Sequence, residues 1–220
     1  MSVKIAPSIL ASDYSRIEEE IALACSSGAS YIHIDVMDGI FVPAKTFSPS
    51  FVKRACLATK EGVVKDIHLM CARPYAAIAS YLSTGGDLFT FHLEACENEN
   101  EVLSCIKLIH DHNKKAGLSI KPMTDVSSLL PYIKELDLVL VMSVEPGKGG
   151  QSFMPSSLSK IAFLKEEKEK RGYSYEIEVD GGINEKTAPM ALDSGATVLV
   201  AGSYLFGHDD FAKRLRRIEG

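Results

Sequence analysis

No stretch of this sequence stays apolar for the roughly 20 residues that a membrane-spanning helix needs. Residues 1–7 go straight into a strand-like segment and lack the charged-then-apolar layout of a secretory leader. No Cys-x-x-Cys pair occurs, and the five cysteines (Cys25, Cys56, Cys71, Cys96, Cys105) are odd in number and widely spread. That argues against a dithiol or disulfide framework and for reduced thiols in the cytoplasm. There is no basic stripe; the net charge is -5, with both signs mixed along the chain. A nucleic-acid partner is therefore not expected, nor is a membrane. The first strand-like segment is followed by Ser8-Ile9-Leu10-Ala11, which has no glycine. An open doubly wound sheet would carry its phosphate fingerprint at that turn.

What the chain does have is alternation. Short apolar runs predict strands over 3–7, 31–35, 63–69, 88–93, 118–121, 138–142, 175–179 and 198–201. Between them, amphipathic stretches predict helices. The first is capped by Ser12 or Asp13 and stops at 26–28. The others cover 50–59, 74–84, 98–115, 126–135, 157–171, 184–194 and 209–218. Eight β-then-α units in 220 residues fit an α/β chain folded as a (β/α)₈ TIM barrel. No composition shift marks a boundary, so 1–220 reads as one domain.

Barrel enzymes build their sites at the C-terminal ends of the strands. Those ends carry Ser8, His33 with Asp35, His68, His92, Lys121, Met142, Asp180, and Gly202 with Ser203. His33 and Asp35 are two apart on one strand, so their side chains share a face. With His68 and Asp180 they make a set of two imidazoles and two carboxylates from three strands. Such a set suits one divalent ion, Zn²⁺, Fe²⁺, Mn²⁺ or Co²⁺. Counting by twos on alternate strands predicts one inward layer of Ser8, His68, Lys121 and Asp180, and below it Ala6, Asp66, Ser119 and Glu178. Two carboxylates in a core are costly unless partnered. Asp66 and Glu178 are expected to support the ligands or to pair with Lys4 or Lys121.

Glycines cluster at three consecutive strand ends: Gly147-Lys148-Gly149-Gly150, Gly181-Gly182 and Gly202-Ser203. Glycine lets backbone N–H groups approach an anion closely, so these turns predict a phosphate site. Asp35 and Asp180 can then face each other across a phosphorylated ketose. One removes a proton from the carbon beside a metal-polarised carbonyl, giving an enediolate, and the other returns one on the opposite face.

Ala6-Pro7-Ser8-Ile9-Leu10, His33-Ile34-Asp35-Val36-Met37-Asp38-Gly39, Phe41-Val42-Pro43, His68-Leu69-Met70, Met142-Ser143-Val144-Glu145-Pro146-Gly147, Gly149-Gly150-Gln151, Glu178-Val179-Asp180-Gly181-Gly182 and Ala201-Gly202-Ser203 together resemble the ribulose-phosphate 3-epimerases. The resemblance implies one divalent metal ion per subunit and interconversion of D-ribulose 5-phosphate and D-xylulose 5-phosphate in the pentose phosphate pathway. It implies His33, Asp35, His68 and Asp180 as metal ligands, with Asp35 accepting and Asp180 donating the proton. It also implies Ser8 and His68 as substrate contacts, the three glycine turns as the phosphate cradle, and Met37, Met70 and Met142 lining the enediolate. Homo-oligomers, dimers or hexamers, are further implied. Two positions depart from the family pattern: Ala44 stands where Asn is usual, and Lys148 where an aromatic is usual. The segments 45–49 and 72–74 resemble the allulose-6-phosphate 3-epimerase branch, which leaves a six-carbon substrate as the alternative. A non-catalytic phosphosugar-binding barrel is the alternative from another class. A decarboxylase would want a lysine-aspartate array, which is not found.

Overall fold

The computed structural model describes residues 3–219. Eight parallel strands are ordered β1-β8-β7-β6-β5-β4-β3-β2. They are β1 (Lys4–Pro7), β2 (Tyr31–Met37), β3 (Val64–Met70), β4 (Leu88–His92), β5 (Lys115–Ile120), β6 (Leu138–Met142), β7 (Glu176–Asp180) and β8 (Val198–Ala201). The ring closes between β1 and β2 through a parallel bridge from Ser8 to His33. The Ser30 N–H adds a 3.0 Å bond to the Ile5 carbonyl. This is the expected barrel.

Around it lie α1 (Ile17–Ser26), α2 (Pro49–Ala58), α3 (Pro74–Tyr81), α4 (Glu99–Asp111), α5 (Ser157–Arg171), α6 (Thr187–Ser194) and α7 (Phe211–Glu219). Local chemistry sets several of their ends. Ser48 caps α2 ahead of Pro49 at the first helical position, and Asn98 accepts from the Glu101 N–H to cap α4. Among the described residues no helix is long and apolar enough to cross a membrane.

Three expectations need correction. The segment 126–135 is not a helix but two short 3₁₀ turns, Val126–Leu129 and Ile133–Glu135. Pro131 lies between them and has no N–H for a helical bond. The helix expected over 98–115 stops at Asp111, because Asn113 turns into the left-handed region (φ 56°) and Lys115 already belongs to β5. Asp13 caps a 3₁₀ turn, Tyr14–Arg16, and α1 itself starts at Ile17.

The core is split by chemistry. The main apolar cluster lies between sheet and helices and includes Ile32, Ile34, Ile67, Phe89, Phe91 and Val179. Burying each such side chain contributes about 1.5–3 kcal/mol. A smaller cluster, with Ala6, Tyr31, Leu88, Leu140, Val198 and Val200, plugs the barrel interior. Toward the mouth the inward positions mix polar residues, among them His33, Asp35, His68 and Asp180, with methionines. Stability thus rests on the outer layer and the lower plug, and the C-terminal mouth is left for chemistry.

Candidate active site

All seven residues of β2 are buried, and inward positions alternate His33, Asp35, Met37 along it. On β3 the neighbouring register sets Asp66 beside His33 and His68 beside Asp35. Asp180 ends β7. The strands thereby converge four donor atoms. His33 Nε2 is 3.2 Å from Asp35 Oδ1, 3.3 Å from His68 Nδ1 and 3.9 Å from Asp180 Oδ2. His68 Nδ1 is 3.1 Å from Asp35 Oδ1 and 3.8 Å from Asp180 Oδ2. Ligand atoms around a tetrahedral zinc sit about 3.3 Å apart. The four side chains therefore fit, and could hold, one metal ion.

The electrostatics of the cluster agree. Burial alone would lower the His33 imidazole, but the Asp35 and Asp66 charges outweigh it and raise it well above the ordinary value. Burial would raise Asp35, but His33 and His68 hold its carboxyl far below the usual range. Asp180 is pushed up to about 6 by burial and by the Asp35 charge. The two carboxyls are thus driven apart, the pattern of an acid and a base in one site.

Beneath the ligands, Asp66 and Glu178 face the barrel interior as expected, both fully buried. Their expected cations do not reach them. Lys4 pairs with Glu176, and the Lys121 ammonium sits 4.1 Å above the Phe41 ring. Asp66 Oδ2 instead lies 2.6 Å from His33 Nδ1. Glu178 is pushed well above the carboxylate range by burial and the Asp66 charge. The Lys121 ammonium, held over Phe41, is not among the groups that meet His68. The side chain that meets His68 from the neighbouring strand is His92 of β4, whose Nε2 is 2.9 Å from His68 Nε2.

A cavity of about 350 Å³ opens over the cluster. Ser8, Asp35, Met37, Met70, Met142 and Asp180 line it, while His33 and His68 lie below its floor. The Ser8 hydroxyl donates to Asp35 Oδ2 at 2.6 Å. The rim is formed by Gly147, Lys148, Gly149, Gly150, Gly181, Gly182, Gly202 and Ser203, so the three glycine turns do meet at one mouth. Three of these positions, Gly147 among them, need glycine. Gly181 has φ +118° and a Cβ there would lie 2.4 Å from Val144; Gly182 has φ +67° and a Cβ would lie 2.4 Å from the Phe153 nitrogen. The Gln151 amide donates to the Glu145 and Lys148 carbonyls, both at 2.7 Å, and braces the first turn.

Sequence reasoning placed His92 at a strand end but gave it no part, and it passed over Glu94. Yet His92-Leu93-Glu94 repeats the His-x-acid spacing of His33-Ile34-Asp35 at another strand end, and that repeat was the available signal.

The chain matches the model of the "Ribulose-phosphate 3 epimerase family" over residues 4–206. It is 43% identical over 207 residues to a ribulose-phosphate 3-epimerase of Schizosaccharomyces pombe, covering 94% of this chain and 88% of that one. With a ribulose-phosphate 3-epimerase of Bacillus subtilis it shares 40% identity over 219 residues, 99% of each chain. Among solved structures, KGPDC from Streptococcus mutans superposes with a TM-score of 0.72 at 13% identity, covering 100% of this chain and 96% of that one. That last likeness speaks to the fold alone. Its whole-length match in sequence and its barrel together mean that the chain belongs to the ribulose-phosphate 3-epimerase family.

Proposed function

We propose that the protein interconverts D-ribulose 5-phosphate and D-xylulose 5-phosphate by inverting the configuration at C3. The observation that carries this reading is the placement of two carboxylates, Asp35 and Asp180, at the floor of a cavity rimmed by three glycine turns. His33, Asp35, His68 and Asp180 would hold one divalent ion, Zn²⁺, Fe²⁺, Mn²⁺ or Co²⁺, whose Lewis acidity would polarise the substrate's carbonyl and neighbouring hydroxyl.

The remaining steps belong to the chain itself. The phosphate is cradled by the N–H groups of the turns at Gly147–Gly150, Gly181-Gly182 and Gly202-Ser203, with Lys148 adding positive charge at the rim. That anchors one end of the sugar and sets C3 over the two carboxyls. Asp35 takes the C3 proton on one face, and Asp180 supplies one on the other. In the reverse direction they exchange roles. Ser8 orients Asp35 through its short hydrogen bond and contacts the substrate, while His68, below the cavity floor, would act through the ion it holds rather than by direct contact. Met37, Met70 and Met142 present a polarisable surface without exchangeable protons to the planar enediolate and keep water from reprotonating it.

A cytoplasmic homo-oligomer, dimer or hexamer, belongs to the same proposal. Five free cysteines support a reducing compartment.

The test is turnover of ribulose 5-phosphate and allulose 6-phosphate in D₂O, with metal analysis of the same sample. Deuterium entering C3 of the pentose phosphate, with faster turnover of the five-carbon substrate, is expected. Preference for allulose 6-phosphate would move the assignment to the six-carbon branch. Binding without deuterium uptake would make the protein a phosphosugar-binding barrel.

A further inference from the structure

His68 is engaged on both edges of its ring. Nδ1 faces the cluster of donor atoms, and Nε2 lies 2.9 Å from Nε2 of His92. Two ring nitrogens form a hydrogen bond only when one carries the proton and the other the lone pair. If His68 offers the Nδ1 lone pair to an ion, its proton is on Nε2. His68 then donates, and His92 Nε2 accepts. The remaining proton of neutral His92 must sit on Nδ1. Glu94 Oε2 is 3.4 Å from that atom, within ion-pair reach but not hydrogen-bonded, and His92 Nδ1 has no hydrogen-bond partner among the described residues, which leaves Glu94 as the carboxylate placed to take its proton.

Glu94 is itself anchored. Its Oε1 accepts the Lys121 N–H at 2.6 Å and the Thr124 hydroxyl. The loop carrying both donors is clamped by Lys160, whose ammonium donates to the carbonyls of Lys121, Pro122 and Thr124 at 3.2, 2.7 and 2.5 Å. Phe41 packs over His92 with ring centroids 4.8 Å apart. His92 is fully buried, so no water competes for its protons.

We propose that His92 and Glu94 are positioning residues for the metal centre: a relay from Glu94 through His92 to His68 that selects the His68 tautomer with Nδ1 free and strengthens it as a ligand. This rests on the metal centre proposed above. It gives the two histidine ligands unlike supports. His33 has a carboxylate directly behind it, Asp66 at 2.6 Å, whereas His68 reaches one only through a second imidazole. Partners of this kind, placed behind a ligand, change metal affinity by about 10–100-fold when removed.

The experiment measures Zn²⁺ affinity by chelator competition, and the Co²⁺ absorption spectrum, for wild type, Glu94→Gln, His92→Phe and His92→Gln. Thermal melting of the metal-free proteins reports folding. Expected results are one ion per wild-type chain, an affinity about tenfold lower in Glu94→Gln and a larger loss in His92→Phe. Partial recovery is expected in His92→Gln, whose side-chain carbonyl can still accept from His68. Because variants can fail to fold, ¹⁵N-histidine NMR of Zn²⁺-loaded wild type provides a second reading. It should show His68 protonated on Nε2 and His92 on Nδ1. Stoichiometric binding with unchanged affinity in folded Glu94→Gln and His92→Phe, or the opposite His92 tautomer, would overturn the relay alone. A wild type that takes up no ion would overturn the metal centre and the relay with it.

Discussion

His33 Nδ1 and Asp66 Oδ2 lie 2.6 Å apart, both fully buried, one layer beneath the cavity floor. The contact leaves Nε2 as the only nitrogen of His33 that can face the ligand cluster. Asp66→Asn keeps the shape but removes the charge. Metal affinity is expected to fall by about 10–100-fold, measured by chelator competition, with little change in the far-UV circular dichroism. Asp66→Leu should be far worse for the fold, since it leaves a buried imidazole unpaired, at a cost of about 1–3 kcal/mol.

Replacing Asp180 by Asn is expected to abolish turnover while leaving the fold intact. The amide keeps the shape at the end of β7 but neither ligates as an anion nor donates a carboxyl proton. A loss of at least about 100-fold in kcat is expected from the acid-base role alone. Near-normal kcat in a correctly folded Asp180→Asn protein would remove Asp180 from the mechanism. The melting temperature of the metal-free variant checks that the loss is chemical.

The barrel and the four-residue cluster were legible because strand alternation is a hard constraint. Once 31–35 and 63–69 read as strands, His33, Asp35, Asp66 and His68 had to share faces in pairs. The partner of Asp66 was not legible. Counting layers on alternate strands compares β1, β3, β5 and β7, and so skips His33 on the adjacent β2, the residue that Asp66 meets. The same counting skipped His92 on β4 and put Lys121 in its place. Sequence spacing gives the face of a strand but not the stagger between strands, and contacts around a barrel follow the stagger. The segment 126–135 failed for another reason. Val126, Leu129, Leu130 and Ile133 carry a helical apolar spacing, but Pro131 cannot complete the backbone ladder.

Metal and protons should compete for the cluster. Asp180 is raised from 3.8 to about 6 on folding, by burial and the Asp35 charge. A group with a raised folded value favours the folded state when protonated. Its contribution is full below its unfolded value and is lost as pH rises through about 6. His33, also raised, acts with the same sign. Asp35, lowered, contributes stability above its unfolded value of 3.8 that is lost only at much lower pH, outside this window. Glu178, also raised, acts with the same sign, whereas His92, held down to about 4 by burial, adds stability as pH rises through about 4 to 6.5. The Asp180 contribution is therefore read against Asp180→Asn: the metal-free wild type should lose melting temperature relative to that variant as pH rises from about 5 to 7. Zn²⁺ should abolish that trend, because binding displaces the protons. Melting with and without chelator across this range checks it, together with proton release on Zn²⁺ addition that is larger at about pH 5.5 than at about pH 8. A metal-free wild type that gains melting temperature relative to Asp180→Asn across the window would contradict the assignment of Asp180.

Gly147 joins two walls of the cavity. Its φ is +106°, and a Cβ there would lie 2.8 Å from Val42 Cβ, on the loop that follows β2. Val42 in turn packs with Met37 and Met70, two of the methionines that line the cavity. Gly147→Ala must therefore both strain the backbone, by about 1–2 kcal/mol for the left-handed conformation, and push Val42. The turn at 147–150 would shift away from the phosphate while Asp35 and Asp180 stay on their strands. The expected outcome is a rise in KM of about tenfold, the equivalent of about 1.4 kcal/mol of lost binding, with a smaller fall in kcat. Gly150→Ala is the comparison: its φ is +72°, but nothing lies within 4 Å of the added Cβ, so only the backbone strain applies. If KM rises equally in the two variants, steric coupling through Val42 plays no part, and the rim is set by glycine's conformational freedom alone.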